Sequence, residues 1–184
     1  MALTSWSPDW HAPADALQCL VDWGASPRLL HHHQMVLQAA QALSAALKAA
    51  AVAHDAQWMA MGAALHDVGK LLYVQEVSGP GSEHEAAGEA LLLKAGVPAH
   101  LARCCVTHGQ WQNCEALESL CVALADRLWR GARCPELELR VIDAAAERKG
   151  CDRWSIWSPL EDTFEAIAAE GPARLQASRS CADR

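Results

Sequence analysis

Between Pro27 and Ala53 the apolar side chains return at steps of three and four residues, through Leu29, Val36, Ala39, Ala40, Leu43 and Leu47, with His32 on the same line. Only an α-helix gathers such positions onto one face, and a stripe this long must be buried against other elements. The Gly24-Ala25-Ser26 break followed by Pro27 marks where that helix begins. The rest of the chain reads the same way, with helical patterns over Pro13 to Trp23, His54 to Tyr73, His84 to Ala95, Ala99 to His108, Ala116 to Trp129, Pro135 to Glu147 and Pro159 to Ala177. Alanine and leucine dominate while there is one Phe and one Tyr, a balance that favours helices over strands. The expected fold class is all-α, a helical bundle, with one clear loop at VQEVSGPGSE before the helix at His84.

A chain of 184 residues with 52% hydrophobic content supports one core and is too short for two ordinary domains. Residues 1–184 are therefore read as a single domain, with a helical extension over about 135–178 and a polar tail, 179–184, expected to be unordered. The formal charge of -7 excludes a role as a nucleic-acid coat, which needs a basic face, but leaves room for a small anion site. The opening MALTSWSPDWHAP has neither a basic n-region nor an apolar h-region, and the Ala-rich stretch near Ala46 is short and carries Lys48. The expectation is a cytoplasmic protein with no membrane span. The eight cysteines form no C-x-x-C pair and sit within helical patterns, as reduced core thiols do; Cys104, Cys105 and His108 make only a weak zinc signal.

Chemistry enters with a series of polar residues in apolar surroundings: His32, His66-Asp67, His84, His108 and Asp126. The sharpest is GAALHDVGKLL, in which an apolar helix turns polar at His66, Asp67 and Lys70 and then resumes. Burying such polarity without partners is costly. Adjacent His and Asp project within about a third of a turn of each other, so both can address one cation, and the carboxylate can bridge to a second. Lys70, one turn on, offers a fixed positive charge for a phosphate oxygen.

The segment HDVGK, with a helical His upstream and an Asp in an apolar helix downstream, resembles the H…HD…D pattern of the HD-domain superfamily, over about Leu29 to Arg130. That resemblance implies an HD-like core over about 27–131. It places the upstream ligand at His32, with His31 and His33 as open alternatives, and the last at Asp126. It also assigns His84 and His108 as the additional histidines of two-metal members. Four His and two Asp suit two divalent transition metals, Fe or Mn foremost, with Co, Ni or Zn as further options.

The implied activity is hydrolysis of a small phosphate-containing molecule, a nucleotide or other phosphoester, by metal-activated hydroxide, with Asp67 and Lys70 catalytic. Substrate binding is expected at Lys70, Arg127 and Arg130, and less at Arg133. Two other readings stay open: a di-iron oxygenase cleaving a phosphonate or polyol, and a non-catalytic metal- or nucleotide-binding regulatory domain. Homodimerisation is also open. Glu83 and Glu85 are candidates to orient His84. Trp58 and Trp129 are assigned to the core, Trp111 is the tryptophan placed nearest a pocket, although packing is its simpler role, and the 74–83 loop is a candidate lid.

Overall fold

Ser26 begins the longest helix as expected: its Oγ accepts a hydrogen bond from the Leu29 amide at 3.2 Å, at the head of α2 (Pro27–Ala49). These are features of a computed structural model that describes residues 12–182. Leu29, Val36, Ala39, Ala40, Leu43 and Leu47 are all buried on α2. The helix stops short of Ala53 because Ala51 takes a φ of 56°, in the left-handed region, which no right-handed helix can absorb.

Before α2 lies α1 (Pro13–Asp22); after it come α3 (Ala56–Leu65), α4 (Glu83–Lys94), α5 (Ala99–Ala102), α6 (Cys104–Thr107), α7 (Leu117–Leu128), α8 (Pro135–Lys149), α9 (Trp154–Ala169) and α10 (Gly171–Ala182). The described residues are all-α, with no strand. None of their helices is long and apolar enough to cross a membrane.

α2 packs against α3, α7, α9 and α10, and the larger core forms there around Val36, Leu43, Met59, Leu124, Ile142 and Phe164. Truncating a fully buried leucine such as Leu43 to alanine would cost about 2–5 kcal/mol. A second core, built on Leu20, Leu65, Val68, Leu92 and Cys105, joins α1 to the α4–α6 segment. Residues of α3 enter both cores, Met59 and Ala63 in one and Met61, Ala64 and Leu65 in the other. The HDVGK segment at its end is thereby fixed from two sides.

Three expected helices are interrupted. The one placed over His54 to Tyr73 starts at Ala56, where Asp55 caps the Trp58 amide at 2.8 Å, and ends at Leu65; a separate 3-10 turn follows over Val68–Leu71. The one placed over Ala99 to His108 divides at Arg103 into two single turns, α5 and α6. The one placed over Pro159 to Ala177 begins earlier, at Trp154, and divides near Glu170 into α9 and α10. Proline is tolerated inside α9 because Pro159 and Ser155 are both exposed, so water can satisfy the carbonyl that loses its N–H partner.

The chain turns into α10 through a close approach of two glycines. A Cβ on Gly171 would lie 2.2 Å from the Gly131 amide nitrogen, and Gly131 itself has a φ of 83°. Arg174 secures the turn by donating from Nη1 to the carbonyls of Ile167 at 2.7 Å and Trp129 at 3.4 Å. α10 runs to Ala182, so residues 179–182 of the tail expected to be unordered continue a helix, and 183–184 lie outside the described residues. Among the described residues Cys104, Cys105, Cys114 and Cys121 are buried free thiols, Cys134 and Cys151 are partly buried free thiols, and Cys19 is buried.

Candidate metal centre

His66 is the residue on which α3 ends, and Asp67 leaves the helical region with φ -106° and ψ 13° before the 3-10 turn. The pair therefore lies on a break between two helical pieces, not within one helix. Gly69 explains the tightness of the break, since a Cβ there would lie 1.9 Å from the His84 carbonyl oxygen and 2.7 Å from the Gly88 amide nitrogen. Only glycine lets the 3-10 turn sit against the first turn of α4, and that contact brings His84 to Asp67.

Asp67 is the centre of the cluster, and its two oxygens face different partners. Oδ2 lies 2.9 Å from His32 Nε2 and 3.6 Å from His66 Nε2. Oδ1 lies 3.0 Å from His84 Nε2 and 3.3 Å from His108 Nε2. Asp126 Oδ1 closes the first group, 3.5 Å from His32 Nε2 and 3.6 Å from His66 Nε2. The six residues thus come together from α2, the end of α3, α4, the end of α6, and α7. Of the adjacent histidines, His33 is fully buried with both ring nitrogens lacking hydrogen-bond partners, its ring packed 5.1 Å from that of His66; His32 is the one that reaches Asp67.

The outer nitrogens decide which way the inner lone pairs point. His66 Nδ1 lies 2.9 Å from the Ala63 carbonyl, His108 Nδ1 lies 3.2 Å from the Cys104 carbonyl, and His84 Nδ1 lies 2.5 Å from Glu76 Oε2. Each outer contact is satisfied by a ring N–H donating outward, which leaves Nε2 as an inward acceptor. Acceptors then face acceptors: His66 Nε2 lies 3.6 Å from both Asp67 Oδ2 and Asp126 Oδ1, and His84 Nε2 and Asp67 Oδ1, 3.0 Å apart, are buried without a well-directed hydrogen bond. Two triads, His32-His66-Asp67 and Asp67-His84-His108, bring potential ligand atoms within 4.8 Å of one another. Such convergence of imidazole and carboxylate lone pairs is resolved by cations, and the residues fit two of them. Among the described residues no cysteine joins either triad, so the weak Cys104-Cys105-His108 zinc signal finds no support.

Electrostatics in the metal-free protein follow the same division. Burial alone would raise the Asp67 carboxyl, but the charge of His66 and the close imidazoles of His108, His32 and His84 outweigh it and hold the pKa well below the usual range. Asp126 is depressed likewise by His66 and His32 against the effect of burial. Burial opposes protonation of His108, yet Asp67 and Asp126 overcome it and raise the pKa to about 9. His84 is raised too, by Asp67 and Glu76 acting against burial, whereas burial lowers His33 and His66.

A cavity of about 330 Å³ opens onto this centre, and His32, Asp126, Lys70, Arg130, Arg28 and Trp129 are among the residues that line it. Lys70 Nζ contacts Asp67 Oδ2 at 2.5 Å. The other basic residues expected at the substrate behave differently. Arg130 lines the cavity, Arg127 does not, and Arg133 is bound away from it by Glu138 at 2.7 Å and Glu161 at 2.5 Å.

Trp111 is a core residue with the Arg140 guanidinium 5.9 Å above its ring, and the tryptophan at the cavity is Trp129, edge-on to His32 at 5.0 Å. Neither Glu83 nor Glu85 orients His84: Glu85 accepts a hydrogen bond from Gln110 Nε2 at 2.9 Å, and the partner of His84 is Glu76. Glu76 and Arg28 are the site residues that sequence reasoning missed. Glu76 left one signal, as the only acidic residue between Asp67 and Glu83. Compared with protein-family models, with curated proteins and with solved structures, the chain matches none.

Proposed function

We propose that this chain is a metal-dependent phosphohydrolase of the HD type, with two divalent cations, acting on a small phosphate-containing molecule. The observation that carries the reading is the division of Asp67, one oxygen toward His32 and His66 and the other toward His84 and His108. A carboxylate shared between two histidine groups serves a pair of cations, whereas a lone structural ion needs a single closed set of ligands. In this reading His32, His66, Asp67 and Asp126 hold one cation, and Asp67, His84 and His108 hold the other. Mixed nitrogen and oxygen donors suit Fe or Mn, and also Co, Ni or Zn.

Two cations bound there supply electrophilic polarisation of a phosphoryl oxygen and a water acidified towards neutral pH. The side chains of the chain do the rest. Outward hydrogen bonds from His66, His84 and His108 aim their Nε2 atoms inward, where loss of the ring proton frees the lone pair for a cation. Lys70 is pinned by one contact to Asp67, and its remaining protons are available to a phosphate oxygen at the cavity. Arg130 adds a guanidinium on the cavity wall, and Leu29, Trp129 and Leu175 supply its apolar lining.

The test begins with elemental analysis of protein purified without chelator, beside His84→Ala and His108→Ala. About two metals per chain, falling toward one in both variants, together with turnover of a phosphomonoester or phosphodiester, is the expected result. One metal or none in the wild type refutes the paired centre. A two-iron protein that consumes oxygen and leaves every ester intact replaces hydrolysis with oxidative cleavage.

A further inference from the structure

We infer that the cavity takes a substrate with two anionic ends, a phosphoryl group at the His/Asp centre and a second carboxylate or phosphate held by Arg28 and Arg130. The inference rests on the phosphohydrolase reading and narrows it to a class of substrate.

Depth within the cavity comes from exposure. His32, Lys70 and Asp126 have side chains 15%, 18% and 20% exposed and form the inner end, with Asp67 behind them, whereas Arg28 and Arg130 are exposed and form the outer end. The inner end already has its own cation in Lys70, so the outer guanidiniums are not needed for the same phosphoryl group. Apolar side chains, Leu29 and Leu175 among them, complete the lining, as suits a short carbon spacer.

The pairing of arginines elsewhere in the chain makes these two distinctive. Arg103, Arg133, Arg148, Arg153 and Arg174 each contact a carboxylate, and Arg140 donates to the carbonyls of Gln112 and Cys114. Among the described residues Arg28, Arg127 and Arg130 have no such partner, and of these three only Arg28 and Arg130 line the cavity, in a chain where 22 acidic residues outnumber 15 basic ones. The carboxylates that line the cavity, Glu76 and Asp126, are both engaged by histidines and leave the guanidiniums unneutralised. A planar guanidinium prefers a carboxylate or phosphate in bidentate contact over a neutral hydroxyl. The cavity volume lies at the low end of the roughly 300–1,000 Å³ usual for small-molecule sites, which favours a compact bis-anion over a polymer end.

The probes are phosphonoacetate, phosphonopropionate and phosphonobutyrate, each compared with the alkylphosphonate of equal carbon number. Binding is measured by calorimetry on the metal-loaded protein and on Arg28→Gln/Arg130→Gln, whose sites are exposed and whose fold and metal content are checked by melting and elemental analysis. At least one carboxylated phosphonate is expected to bind about ten-fold or more tightly than its alkyl counterpart. The double variant should lose that preference, binding each carboxylated phosphonate no more tightly than its alkyl counterpart. Equal affinity for all pairs in the wild type, with alkylphosphonates still bound, overturns the second anion subsite and leaves the phosphate reading intact. A preference that survives the double substitution also overturns the assignment to these arginines. Binding of neither class by protein that holds two metals overturns the phosphate reading and this inference with it.

Discussion

Replacing Gly69 by alanine adds one methyl group and should remove one metal. The new Cβ would lie 1.9 Å from the His84 carbonyl oxygen, and real Cβ contacts essentially never fall below 3.0 Å, so the 3-10 turn and α4 must separate by about 1.1 Å. Both colliding groups are backbone, so rotamer changes cannot relieve the clash. Cation–ligand distances tolerate about 0.2 Å, far less than this displacement, and His84 moves with α4 away from Asp67 Oδ1. His32, His66 and Asp126 are not carried on α4, and their group should survive. Elemental analysis of Gly69→Ala should find about one metal per chain against two in the wild type. Overpacking of this kind costs about 1–3 kcal/mol, so calorimetry of the metal-free proteins should show Tm lower by about 2–12 °C for a chain of this size. A variant that keeps two metals and the wild-type Tm would show that this glycine does not seat α4, and the reasoning from the Cβ clash would fail.

Asp67→Ala should abolish binding at both positions together, and retention of two metals by elemental analysis would disprove the bridge. Glu76→Gln keeps an acceptor for His84 Nδ1 but removes its charge, so the cation at His84 and His108 should bind about 10–100-fold more weakly in a competition titration with a chelating dye. An unchanged affinity would reduce Glu76 to a loop anchor. The pKa of His108, about 9 when folded and metal-free against 6.5 as the ordinary value, sets the pH behaviour. Because the folded value is raised, its stabilising contribution is complete below pH 6.5 and lost as pH rises through 9; cation binding, which needs the neutral ring, strengthens over the same range. Calorimetry in buffers of different ionisation enthalpy should detect proton release on metal binding at pH 7, and no release would contradict the raised value.

Much of this centre was legible because burial makes polar residues conspicuous. His66 and Asp67 interrupt an apolar run that ends at Leu65, and His32 lies on a stripe whose other members are core residues. The partners of those groups were harder to see. Glu76 reaches His84 from eight residues away through a turn whose path no periodicity encodes, and Arg133 is taken by Glu161, 28 residues on, in a helix whose start was misplaced by reading Pro159 as a first-turn residue. The split at Arg103 was hidden because Ala99 to His108 has helical composition throughout, and Arg103 itself keeps helical dihedrals, φ -58° and ψ -20°. Arg28 escaped notice since nothing in the first turn of α2 announces that it lies beside a cavity completed by residues of α10.

The six candidate ligand residues extend along the chain from position 32 to position 126 and come from five separate stretches of backbone. Cations shared among them would tie distant segments together much as covalent cross-links do, closing loops whose entropy the unfolded chain otherwise keeps. Since the unfolded chain has no comparable arrangement of lone pairs, free metal concentration enters the folding equilibrium directly. Cellular abundance of the protein should therefore follow the metal supply, with starvation exposing the chain to proteolysis before any loss of synthesis.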